Sequence, residues 1–476
     1  MPRVSGVSIL LCVVAAMAGG CGVSGLNPGS PNDAGNPADA SDPGDASNPG
    51  DTTTPSRGGT PPFSCNVVWR DFQHGTELDD QLWGMTIDDH NNVYIAGYEH
   101  GFGYRTNIEP DGDSRGVIAK LDPTGTMQWS TPIDSHGTES IEDVAIEPGT
   151  GRIFAIGRTS GAFPGFTNQG QFDELLLALD SNGHVLQVVE QGDALPQHPA
   201  RLAMGVDHDL VVAGYNDTFV EGNAVLAFED GFVQRVSVQD GTGQGGAGIE
   251  FNQHFLQTVP NSQTNRVTSA AVETDGSHAT YVTGFILGGR SAGPYVKKLD
   301  ADGTPLWSTP ITRNPFDSVT GVALSPAGLL LITGSTFGTL GKQNFGQQDA
   351  FVMNIDKATG QPLWATQAGS TDSDAPVGLG FDADNNIYIA GITLGSVVDG
   401  EPSRGDIDAF AMKFDPNGNL LGSWQTGTEG YDFVTAMVVD HCGNLLIGGF
   451  TRGALASDGP APAGNDDMFV VRASFP

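Results

Sequence analysis

Val93–Tyr98 reads VYIAGY, and the phrase returns six times along the chain. The copies are IFAIGR (Ile153–Arg158), LVVAGY (Leu210–Tyr215), TYVTGF (Thr280–Phe285), LLITGS (Leu330–Ser335), IYIAGI (Ile387–Ile392) and LLIGGF (Leu445–Phe450). Each is a short run rich in β-branched and aromatic residues, the composition of a buried strand. The glycines are Gly97, Gly157, Gly214, Gly284, Gly334, Gly391 and Gly448, which by subtraction lie 60, 57, 70, 50, 57 and 57 residues apart. Self-similarity at a long period marks a repeat architecture.

The same grammar surrounds each copy. Before it comes a strand ending in an acidic residue, such as LWGMTID at Leu82–Asp88. After it comes a long loop and a third strand. The third strands read VIAKLD (Val117–Asp122), LLLALD (Leu175–Asp180), AVLAFE (Ala224–Glu229), YVKKLD (Tyr295–Asp300), FVMNID (Phe351–Asp356), FAMKFD (Phe410–Asp415) and MFVVRA (Met468–Ala473). Turns such as Pro123-Thr124-Gly125 and Pro416-Asn417-Gly418 are hairpin chemistry and lead to a fourth strand, such as MQWSTPI at Met127–Ile133. Four antiparallel strands, seven times over, predict an all-β, seven-bladed β-propeller.

The two ends of the repeat region complement each other. The last repeat stops after its third strand, at Met468–Phe475, and NVVWRDF (Asn66–Phe72) precedes the first. Trp69 matches the fourth-strand tryptophans Trp129, Trp307 and Trp364, with Trp424 nearby. The N-terminal strand is therefore expected to complete the last blade and remove an open sheet edge. Cys65 precedes that strand and Cys442 sits in a turn of the same blade, on the same face. An exported protein meets oxidising conditions, so a Cys65–Cys442 disulfide is expected.

The N-terminus reads as an export signal. Residues 1–21 carry Arg3, the apolar stretch Val7–Ala18 and then AGGC ending at Cys21. About 20 apolar residues are needed to span a bilayer, and this stretch falls short. Small residues before a cysteine resemble a bacterial lipoprotein signal, which implies cleavage and lipidation at Cys21. Residues 22–63 hold almost nothing to pack, Asn27–Asp51 being Pro, Gly, Ala, Ser, Asn and Asp throughout, and are expected to form a disordered tether. As a flexible coil those 42 residues reach ~35 Å. Residues 64–476 are then the propeller. Gly22 after the cysteine, where an inner-membrane lipoprotein would have Asp, implies by the same resemblance an outer-membrane or cell-surface site.

The repeats themselves resemble the SBBP family of seven-bladed propeller repeats in exported bacterial proteins. The residues that carry this are DAFVMNIDKATGQPLWATQAGSTDSDAPVGLGFDADNNIYIAGIT (Asp349–Thr393) and DAFAMKFDPNGNLLGSW (Asp408–Trp424). The resemblance implies a fold and supplies no catalytic motif. Blades three and four depart from it, with Gln239–Arg266 reading as a long polar insertion. Ile355–Trp364, IDKATGQPLW, also resembles the repeat of pyrroloquinoline-quinone propellers, through Asp356, Thr359, Gly360 and Trp364. Its plainer meaning is a way of locking neighbouring blades, since no quinone or calcium ligands accompany it.

Antiparallel geometry places the long connections, such as Thr159–Asp173 and Thr336–Gln348, on one face, where binding residues concentrate. Eight residues before the end of each first strand lies Asp80, Glu139, Asp317, Asp374 or Asp432, with Pro199 and Asn265 at the matching places of blades three and four. Two readings stand. The five carboxylates converge on a calcium site at the channel mouth, or each accepts backbone N–H bonds in its own loop; the second is expected. Asp111-Gly112-Asp113, Asp382-Ala383-Asp384 and Asp300-Ala301-Asp302-Gly303 read as turns, since none continues into a calcium-binding loop. His74 and His136 occupy equivalent QHGTE and SHGTE segments.

A net charge of −35 argues against a nucleic-acid surface. H-E-x-x-H and P-loop motifs are absent from the sequence. The expectation is a non-catalytic, monomeric, lipid-anchored propeller without a cofactor that binds a protein or glycan at the cell envelope. Its rivals are an exported quinoprotein-like enzyme or hydrolase, and a calcium-stabilised structural module.

Overall fold

The computed structural model describes residues 64–475, apart from 102–113, 206–208, 220–226, 242–247, 259–263, 274, 288–291, 401 and 456–464. The signal, Cys21 and the tether lie outside the described residues, as does Asp111-Gly112-Asp113. The described residues form seven four-stranded antiparallel sheets and no helix. Six sheets are built from consecutive strands. The seventh places Phe72–His74 beside Asp467–Ala473, with Phe72 opposite Val470 and His74 opposite Met468. The chain is a seven-bladed β-propeller closed by its N-terminal strand.

The core is divided among the blades. Seven buried apolar clusters each span one pair of neighbouring sheets. The cluster joining blades seven and one, with Val470 and Met468 against Leu82 and Ile95, is the same kind as the rest. Ring closure is therefore a seventh copy of one interface.

The repeat glycine has a packing role that the pairing register defines. In every blade the first strand bulges opposite it, between Leu82 and Gly84 in blade one and between Pro376 and Gly378 in blade six. The bulge drives a carbonyl into the space a β-carbon would occupy. A Cβ on Gly97 would stand 2.0 Å from Gln81 O, and one on Gly391 2.0 Å from Ala375 O. In blade seven this residue is Gly449, whose Cβ would meet Phe433 O at 1.8 Å. The expectation of Gly448 is thus one residue off; the pair GG offers two choices and only strand pairing selects between them.

Blade three differs from its sequence reading. Its third strand is Ala227–Gly241, with Phe232 opposite Gly214, so Phe232–Ser237 takes the place expected for Ala224–Glu229. The expected insertion supplies the end of that strand, the fourth strand Gly248–Thr258 and the start of blade four at Thr264. A fourth strand is an outer edge with one partner, so it lacks the continuous apolar run that makes inner strands visible.

The tryptophans lock blades together, as the plainer reading expected. A side chain on Gly183 would strike the Trp129 ring at 2.7 Å, one on Gly360 the Trp307 ring and one on Gly418 the Trp364 ring, both at 2.6 Å. Thr131 and Thr366, two residues after their tryptophans, donate to Gly183 O and Gly418 O at 2.7 Å. Trp69 packs near Gly125 of blade one in the same manner.

A second lock recurs at the other end of the fourth strand. Gln367 Nε2 donates to Asp349 Oδ2 and Gly338 O, while its Oε1 accepts Leu340 N–H. Gln425 repeats this with Asp408, Gly395 and Val397. Gln73, on the closing strand, repeats it with Asp467, Gly453 and Leu455. In blade two the residue is Glu190, whose Oε2 accepts Phe163 N–H at 2.9 Å. Its Oε1 takes the place of the donating amide and has no partner. Burial, and then the Asp173 carboxylate, push Glu190 above the usual carboxylate range.

Glu190→Gln is therefore expected to stabilise the protein by about 1 kcal/mol near pH 8, the worth of one restored buried hydrogen bond. Because the folded value is raised, the stability this group contributes is present below its unfolded value and lost as pH rises through the folded one. The advantage of the variant should therefore shrink towards pH 4. Denaturant unfolding of both proteins from pH 4 to 8 measures it, and a pH-independent difference would refute the raised Glu190 value.

Candidate binding site at the channel mouth

The five acids occupy the starts of the first strands on the long-loop face, and all are buried. Asp374 accepts Ser370 N–H at 2.6 Å and the Thr393 hydroxyl at 2.5 Å. Asp432 accepts Thr428 N–H and the Thr451 hydroxyl in the same way. Asp80 accepts N–H groups of Thr76 and His100, Glu139 the hydroxyls of Ser135 and Thr159, and Asp317 the N–H of Phe337. Each carboxylate thus fastens its own loop. Burial raises Asp80, Glu139 and Asp432 above the ordinary range and pushes Asp374 up to about 7. Among the described residues, no three His, Cys, Asp or Glu side chains group closely enough to hold a metal ion.

In blade three the equivalent residue is Gln197, opposite Asn216, and not Pro199. The turn after that strand begins at Gly205, whose N–H donates to Asp209 O as that of Asp88 does to Asn92 O, so the count to Pro199 starts two residues too far along. Asn265 is confirmed in blade four, where Tyr295 Oη donates to it at 3.0 Å. Asp382 and Asp300 accept N–H groups of Asp384 and Asp302 within tight turns. His74 pairs with Glu99 at 3.3 Å, and that hydrogen bond holds its imidazolium above the usual range. His136 is almost fully exposed on its loop, so the two histidines share a sequence position but no site. The Cys65–Cys442 disulfide is present, with Cα atoms 5.5 Å apart.

The first strands surround a central cavity of about 170 Å³, lined by residues of all seven blades, among them Trp83, Asp143, Arg201 and Thr320. That is smaller than the ~300–1,000 Å³ of small-molecule pockets. The chemistry above it, at the mouth, is more distinctive.

At the mouth, each blade contributes the residue after its repeat glycine and the one paired with it. These pairs are Tyr98–Gln81, Arg158–Ser140, Tyr215–His198, Phe285–Arg266, Ser335–Ser318, Ile392–Ala375 and Phe450–Phe433. Blades five and six keep small or apolar residues there. Blades two to four carry a continuous polar wall. Arg158 Nη1 donates to His198 Nδ1 at 3.0 Å, and His198 Nε2 lies 3.2 Å from Asp217 Oδ2. An arginine only donates, so Nδ1 accepts and Nε2 bears the proton. Burial lowers the His198 pKa, consistent with a neutral ring. Both nitrogens are engaged, so His198 is fixed in place and not poised to take a proton.

Arg158 also meets Glu142 at 3.3 Å. His198 stacks on Tyr215 with centroids 4.6 Å apart, and Arg266 lies over the same ring at 4.4 Å. Arg266 Nε and Nη2 each donate to the Glu229 carboxylate. Blades seven and one supply an aromatic wall, in which Trp83 lies 6.0 Å from Phe450, Phe450 stacks on Phe433 at 5.0 Å and Tyr431 follows at 6.1 Å. The sequence reading passed over these residues in favour of the acids. Their signal was the last letter of the repeated phrase, which is Y, R, Y and F in the first four copies.

No protein-family model matches the chain. It is 25% identical over 354 residues to the regulatory protein FlaEY of Caulobacter vibrioides, covering 72% of this chain. The chain spans about a third of that relative's length, 33%. Among solved structures, a Dyadobacter fermentans protein of unknown function covers 86% of this chain, which spans 98% of it, at 9% identity and TM-score 0.44. The polysaccharide lyase Uly1 aligns over 84% of this chain and 90% of its own at 12% identity and TM-score 0.43. A puromycin hydrolase aligns over 80% and 50% at 14% identity and TM-score 0.42. These likenesses are of fold alone.

Proposed function

We propose that this chain is an exported, non-catalytic propeller of the SBBP-repeat type, monomeric and anchored to the cell envelope through a lipid on Cys21. Its long-loop face binds an envelope protein or glycan at the channel mouth. The observation that supports this is a broken symmetry. Elsewhere most repeats keep the same locks and loop clamps. At the mouth, blades one to four and seven replace small residues by arginine, histidine and aromatic rings. Repetition gives no structural reason for that replacement, and arginine and aromatic residues are those enriched where proteins bind partners. The disulfide fits an oxidising compartment outside the cytoplasm.

The test is retention of envelope material by the full chain. Arg158→Ala should reduce saturable retention at least tenfold, while Leu306→Ser on the outer rim, where the leucine is 56% exposed, should leave it unchanged. Equal behaviour of the two variants would remove the mouth from the proposal. In the same cells, Cys21→Ser should move the protein from the membrane to the soluble fraction.

A further inference from the structure

We infer that the ligand held at the channel mouth is a neutral saccharide. This rests on the mouth being the binding surface, and it names the chemistry the two walls can recognise.

The aromatic wall is not required by the repeat. Trp83 is the bulged residue of its first strand. Its counterparts in blades four, five and seven are Thr268, Thr320 and Thr435, which donate to carbonyls of the next blade: Val319 O at 2.8 Å, Pro376 O at 2.7 Å and Leu82 O at 2.5 Å. A threonine there stitches blades together. Tryptophan forgoes that bond, lines the central cavity and places its indole beside Phe450. The result is an apolar surface of mutually tilted rings at the rim of the channel.

The polar wall is charged but compensated. Arg158 faces Glu142 and Arg266 faces Glu229, while the neutral His198 donates its Nε2 proton to Asp217. A ligand carrying a full charge gains little there, because any attraction to one partner is offset by repulsion from the other. A polyanion also approaches a chain of net charge −35, which repels it at long range. What remains is a set of planar donors and acceptors held fixed by their own pairing, which lowers the entropy lost on binding. Flat C–H surface on one side and several hydroxyls on the other is the complement of such a site. A sugar ring has both, and it is uncharged.

The experiment applies the full chain to an array of neutral hexose and N-acetylhexosamine oligosaccharides alongside uronic-acid and sulfated ones. Binders are then titrated calorimetrically. Saturable binding of neutral members is expected. Trp83→Ala should weaken it at least tenfold, and Trp83→Phe should restore most of it. Where Trp83→Ala fails to fold, Trp83→Phe and Glu142→Gln are read instead, with small and several-fold losses respectively. Preference for acidic members, or neutral binding indifferent to both Trp83 and Glu142, overturns the inference. If no saccharide binds while envelope material is still retained through Arg158, the ligand is not a saccharide and the binding surface stands. If that retention is also missing, the surface itself is wrong.

Discussion

Gly391→Ala should destabilise the propeller by roughly 3 kcal/mol or more, placing it in the upper tail of single substitutions. The new methyl carbon would sit 2.0 Å from Ala375 O, 2.6 Å from Pro376 Cα and 2.8 Å from Ala375 C. All three are backbone atoms of the bulged first strand, which ladder hydrogen bonds hold in place along the second strand. No side chain is available to swing aside. Positive φ is not the cause, since Gly391 is not among the residues with that conformation. The matched control is Gly378→Ala in the same blade, whose Cβ would meet Met437 Cγ at an ordinary 3.7 Å. That variant should unfold within about 0.5 kcal/mol of the parent. Thermal and denaturant unfolding of the pair decides the matter: similar losses at both positions would mean that the bulge does not create the need for glycine.

The second large effect concerns ring closure. Only Phe72–His74 pair with the last blade as a strand, with the Gln73 clamp and an Arg70 N–H bond to Thr124 O adding to their hold. Three paired residues are a short grip for a whole ring. The Cys65–Cys442 disulfide fastens the segment just upstream across a separation of 377 residues. In the chain-entropy account a loop of that length is worth at most about 6 kcal/mol. The Cys65→Ser, Cys442→Ser double variant is expected to lose several kcal/mol, short of that bound. Beyond cuts that the parent also shows, such as at Arg57 in the expected tether, trypsin should cut it at Arg70 before any other blade opens. Peeling of the strand exposes the edge of Asp467–Ala473, so concentration-dependent association should accompany the loss. An unchanged unfolding midpoint together with unchanged proteolysis would show that the strand holds without the bond.

The chain alone determined how many blades there are and how they close. Strand composition and tight-turn chemistry are local properties, so seven copies of a phrase specify seven sheets, and the missing fourth strand at one end names its replacement at the other. The loop-clamping acids were also legible, because four of the five sit four positions after a residue that donates to them, which is a local motif. Register was not. Gly448 against Gly449, Pro199 against Gln197, and the third strand of blade three were settled by which residues pair across strands, and pairing is a relation between distant segments. The mouth was further still from view. Arg158, His198, Tyr215, Arg266 and Trp83 are separated along the chain by up to 183 residues (266 − 83), and no spacing rule connects them. Closing the ring brings them to one rim, because each blade turns the same face of its innermost strands towards a common axis.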